Sequence, residues 1–90
     1  MLRIRAKLNE KKNKPRLRYA LIVQRGKFVK LEEFKDVFEN ASDVFKFFEH
    51  DIVFGAIIDE RARKVYFITV NIDRKCTTLI VMETEFEAKP

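Results

Sequence analysis

Between residues 31 and 50, Leu31, Phe34, Phe38, Ala41, Phe45 and Phe48 recur at steps of 3, 4, 3, 4 and 3. That spacing puts them on one face of an α-helix. Val37 and Val44 widen the apolar stripe, while Glu32, Lys35, Asp36, Glu39, Asp43 and Lys46 fall on the opposite face. No other stretch carries a helical period, and the flanking segments alternate at period two. A helix laid over a sheet is the fold this pattern allows, with the phenylalanine stripe as the underside of the helix. Its start lacks a good N-cap residue, although Glu32, Glu33 and Asp36 suit the positive end of the helix dipole. The run Asn40, Ala41, Ser42, Asp43 could cap a second helix and divide the first. The stripe crosses it without losing phase, so a single helix is expected. Phe47 lies beside the stripe, toward the polar face.

Residues 1–8 alternate Leu2, Ile4, Ala6 and Leu8 with Arg3, Arg5 and Lys7, as a half-buried strand does. Residues 9–15 read as a lysine-rich loop and residues 16–24 as a second strand, so the two form a hairpin with a long basic tip. Arg25, Gly26 and Lys27 make a turn, and residues 28–30 a short third strand leading into the helix. After the helix, residues 52–59 are apolar almost throughout, the mark of a central strand covered on both faces. Gly55 within it predicts a bulge or the close approach of another backbone. Residues 65–73 and 76–87 are two further strands joined by charged turns. The order β-β-(β)-α-β-β-β with tight late connections predicts an α+β fold: one antiparallel sheet of five to six strands with one helix packed on one face. Because the late strands present apolar groups to both faces, the second face needs a cover. A homodimer or strong curling of the sheet would supply it.

Ninety residues suit a single domain spanning 1–90, and the supply of Phe, Ile, Val and Leu opposes disorder. Cys76 is alone, which rules out an internal disulfide and a cysteine-rich zinc site and fits a reducing compartment. The longest apolar run, residues 52–58, is far short of a membrane span, and residues 1–8 lack the apolar core of a signal peptide. A cytoplasmic protein with no membrane partner is expected. High charge, one glutamine and sparse glycine fit a heat-adapted source.

The formal charge of +5 hides a partition. Residues 1–30 hold eleven basic groups and one acid, residues 31–60 two basic groups and nine acids, and residues 61–90 six basic groups and four acids. The first third therefore carries +10, the balance of a surface that faces a polyanion. Lys11, Lys12, Lys14, Arg16 and Arg18 gather at the hairpin tip, with Arg25 and Lys27 close in sequence. Cations that can reach a phosphate backbone at several points are what such binding needs. Tyr19 and Phe28 could stack on bases if exposed. The competing structural role is a charge ladder: Arg3, Arg5 and Lys7 at period two would cancel Glu83, Glu85 and Glu87 if the first and last strands pair.

A second candidate surface is the acidic helix face, Glu32, Asp36, Glu39 and Asp43, with Phe47 at its edge. It could dock on a basic partner, although a solvated helix face has the same composition. His50 is the only histidine, so no histidine-based metal site is available. No catalytic constellation, metal site or cofactor motif is present. The leading expectation is a non-enzymatic nucleic-acid-binding protein that grips phosphates with little base specificity. The alternative is a protein-interaction module, a small inhibitor or assembly adaptor working through the acidic face or an exposed sheet edge. A third is a metal-independent ribonuclease in which Arg, Lys and Tyr66 replace the usual acid–base pair.

Overall fold

The computed structural model describes residues 3–8, 25–71 and 79–89. Its elements are β1 (Arg3–Lys7), β2 (Lys27–Lys30), a 3-10 turn (Leu31–Glu33), α1 (Phe34–Val37), α2 (Ala41–Phe47), β3 (Asp51–Asp59), β4 (Lys64–Asn71) and β5 (Leu79–Lys89). The five strands form one antiparallel sheet in the order β1-β5-β4-β3-β2, with the helices on one face. This is the α+β architecture expected from the periodicities, and the short strand before the helix is β2. Residues 52–59 lie inside the sheet but not at its middle, which is β4. None of the described helices is long and apolar enough to cross a membrane.

Alternation fixes the two faces. Ile4 and Ala6, Val29, Ala56 and Ile58, Val65 and Phe67, and Met82 and Phe86 are buried beneath the helices with Phe34, Phe38, Val44 and Phe48. Phe67, on the middle strand, is the hub of this core. The rings of Phe48, Phe38 and Phe34 stand 5.2, 5.5 and 6.0 Å from it in tilted contacts. Each such pair contributes about 0.5–1.5 kcal/mol beyond its buried area.

The helical segment departs from the single helix that its stripe predicts. Phe38 is extended, at φ −96° and ψ 118°, so α1 stops after one turn and α2 starts afresh at Ala41. The cause is the outer edge of β1. The Glu39 N–H donates to the Ile4 carbonyl at 2.7 Å, and Ile4 and Phe38 form a short parallel bridge. The Ala6 N–H donates to Asn40 Oδ1 at 3.0 Å, while Asn40 Nδ2 donates to the Ala6 carbonyl at 2.8 Å. The carboxamide thus imitates the peptide of a neighbouring strand. Asn40 stands at the N-cap position of α2 but makes no side-chain cap bond, because Ala6 holds its side chain. Arg3 Nη1 adds bonds of 3.3 Å to the Lys35 and Asp36 carbonyls at the end of α1.

The expected hairpin between residues 1–8 and 16–24 falls in part outside the described residues. Among the described residues, β1 has β5 on one edge and the helix break, at Ile4 and Ala6, on the other. Residues 16–24 themselves lie outside the described residues. The break also rotates α2, so that Ala41, Val44 and Phe48 point inward while Phe45 is left exposed and stacks on Phe34 at 5.8 Å.

Replacing Asn40 by alanine strands the buried Ala6 N–H and carbonyl, and should lower stability by about 1–3 kcal/mol. Asn40→Asp keeps the acceptor, loses the donor and buries a charge, so it should be at least as damaging. Urea unfolding measures both; a loss below about 0.5 kcal/mol in either would show that the edge of β1 does not depend on this pairing.

Candidate nucleic-acid interface

The face of the sheet away from the helices divides into two halves. On the β1/β5 half, Arg5 stands opposite Glu87 and Lys7 opposite Glu85. Lys7 Nζ reaches Glu87 Oε1 at 3.3 Å, and Lys64 on β4 is paired with Glu83. The expected charge ladder forms with a shift: Arg3 meets Lys89, and Glu83 belongs to Lys64 rather than to β1. Exposed pairs of this kind add little stability, about 0.2–1 kcal/mol each, but they set glutamates against Arg5 and Lys7 of β1.

The β2/β3 half is different. Phe28 and Lys30 are exposed on this face of β2, with Arg25 just before the strand; Lys27 is exposed too, but on the side of Val29, opposite Ile58. Among the described residues none of these three cations has an ion pair. Phe28 is 51% exposed, Phe54 52% and Ile52 50%. Their common face follows from the register. Val53 packs against the core, and the ladder then shifts between Val53 and Gly55, so that Phe54 and Gly55 both oppose Ile68. Such a bulge adds one residue and resets the alternation. Without it, Ala56 and Ile58 would turn outward; with it, they return to the core and Phe54 is left on the open face.

Gly55 has a second role here. A Cβ at this position would lie 2.7 Å from the tip of the Phe28 ring and 2.8 Å from the Val29 carbonyl oxygen. Phe28 therefore lies across the glycine, held on one side and open on the other. Both alternatives read from Gly55, a bulge and a close backbone approach, are realised together. Phe28, Phe54 and Ile52 each forgo roughly half of the ~1.5–3 kcal/mol that full burial of such a side chain contributes.

Of the residues singled out for phosphate contact, Arg25 and Lys27 are described at this end of the sheet, Lys27 on the side of Val29, and Lys30 lies on the face of Phe28. Lys11, Lys12, Lys14, Arg16 and Arg18 lie outside the described residues, as do Tyr19 and Cys76. Phe28 is exposed, the condition set for stacking. Phe54 was hidden in the sequence within an apolar run read as covered on both faces; the glycine after it was the signal.

The acidic set is exposed but divided. Glu32 sits in the 3-10 turn, Asp36 on α1, Glu39 in the break and Asp43 in the first turn of α2. Phe47 is half-buried, its ring 4.9 Å from that of Phe48, and it lines a small apolar recess with Leu8, Phe67 and Met82. His50 lies beyond the end of α2, exposed, with Nε2 3.5 Å from Glu49 Oε1. Tyr66 is half-buried in register between Ile57 and Glu83. Among the described residues no three His, Cys, Asp or Glu side chains gather to hold a metal. Comparison with protein-family models, with curated proteins and with solved structures finds no match.

Gly55→Ala should cost about 1–3 kcal/mol, since the Val29 carbonyl cannot move without breaking the β2–β3 ladder. Adding Phe28→Ala should recover only the part due to the ring. A Gly55→Ala protein with the urea midpoint of the parent would show that neither contact is as tight as described.

Proposed function

We propose that this chain is a small nucleic-acid-binding protein that neutralises phosphates with the cations of its first thirty residues and reads little base sequence. The observation that carries this reading is the +10 charge of residues 1–30. The fold supports assigning it away from β1. Arg5 and Lys7 stand opposite glutamates of β5, whereas Arg25, Lys27 and Lys30 are exposed on the other half of the sheet. The proposed grip is therefore Lys11, Lys12, Lys14, Arg16 and Arg18 together with Arg25 and Lys27. The partner is nucleic acid, no cofactor is needed, and no residue is given a catalytic role. A protein-interaction reading draws on the exposed Glu32, Asp36, Glu39 and Asp43, with Phe47 half-buried.

Fluorescence anisotropy with labelled duplex DNA, single-stranded DNA and RNA across a salt series tests the proposal. Four to six phosphate contacts give a log–log slope of about −3.5 to −5.5 on duplex. Reversing Lys11, Lys12 and Lys14 to glutamate should flatten that slope by about 2.5–3. Neutralising Arg5 and Lys7 to glutamine should leave it nearly unchanged. Equal slopes for the parent and the lysine reversals would place the grip elsewhere, and no binding even at ~50 mM salt, where phosphate contacts are strong, would remove the reading.

A further inference from the structure

We infer that the Phe28–Phe54 strip on the open face of β2 and β3 is a stacking platform for the bases of single-stranded nucleic acid. This rests on the nucleic-acid reading above and deepens it by naming the form of the strand. Three observations combine. Two phenylalanine rings, each about half exposed, lie at neighbouring positions of one register, Phe28 across Gly55 and Phe54 beside it. Among the described residues neither ring has an aromatic neighbour, although Phe34, Phe38, Phe45, Phe47, Phe48 and Phe67 all pair with one another. The cation on the strip's own face of β2 is Lys30, exposed opposite Gly55, with Arg25 exposed just before the strand, while the glutamates of the same face stand on β5, across the sheet.

The chemistry selects the occupant. An aromatic face beside cations accepts a base by stacking and a phosphate by ion pairing, whatever the base, because every base has a π-face. A duplex keeps its bases stacked on each other and offers the rings only its backbone. A protein partner would be drawn to the rings but not to the cations unless it were itself acidic. Phe54 follows inward Val53 onto the open face, and the bulge after it returns Ala56 and Ile58 to the core. Gly55 keeps Phe28 in place, since any larger residue would collide with the ring.

The chain contains no tryptophan, so Phe54→Trp in the full-length protein introduces a single indole reporter on the strip. Titrating it with a 15-nucleotide thymidine oligomer should quench the emission, while a 15-base-pair duplex bound to the same extent by anisotropy should not. Phe54→Ala, which opens no cavity at so exposed a position, should weaken the oligomer by about 5- to 150-fold and the duplex by less than twofold. Its salt slope should match the parent, because no phosphate contact is removed. If both ligands bind but the indole emission does not change, the platform is wrong and the phosphate-gripping reading stands. If neither ligand binds, both fall. If the emission shifts on raising protein concentration alone and sedimentation shows a dimer, the strip is covered by a second copy and the platform is likewise overturned.

Discussion

The sheet depends on how β1 is held. Its inner edge has β5, but an edge strand with its other side open is a template for pairing with another chain. Here that side is closed by a side chain. The two hydrogen bonds between Asn40 and the Ala6 peptide continue the ladder outward for one position, and the Glu39–Ile4 bond adds the next. Closing the edge in this way forces Phe38 out of helical geometry, which is why a stripe with unbroken period does not make an unbroken helix. The two short helices then sit at the angle that brings Phe34, Phe38 and Phe48 around Phe67.

The opposite side of the sheet owes its character to the irregularity in β3. By resetting the alternation at Gly55, the bulge lets one strand serve the core at Val53 and again at Ala56 and Ile58. The same step leaves Phe54 outward and makes room for Phe28. The face away from the helices is thus uneven: charged over β1 and β5, aromatic with Lys30 over β2 and β3, and buried at Ile57 and Val81.

Much of this was legible in the sequence because it rests on periodicity and charge. The strands at Ile4 and Ala6, at Val65 and Phe67 and at Met82 and Phe86 follow from alternation alone, and the β1–β5 pairing from matched charges at period two. Gly55 announced both of its consequences. The helix break was harder to read. Asn40 was visible as a potential cap, but its actual partner is the Ala6 peptide, 34 residues away, and local pattern carries no information about such a contact. Phe54 was obscured because an apolar run looks alike whether buried or open, and only the phase reset separates the two.

The position of Asn40 in the chain has a consequence for synthesis. Ala6 waits for its ladder partner Phe86, which is made 80 residues later, whereas Asn40 follows after only 34. At about 5–20 residues per second, the gap between the two partners is about 2–9 s. During that interval a nascent β1 has one edge within reach of Asn40 and only the other unclaimed. Arg3, Arg5 and Lys7 stand along that strand as charges that discourage neighbouring chains from adding to it. The helix break is in this sense a placeholder, able to hold the earliest strand in register until the last one arrives to complete the sheet.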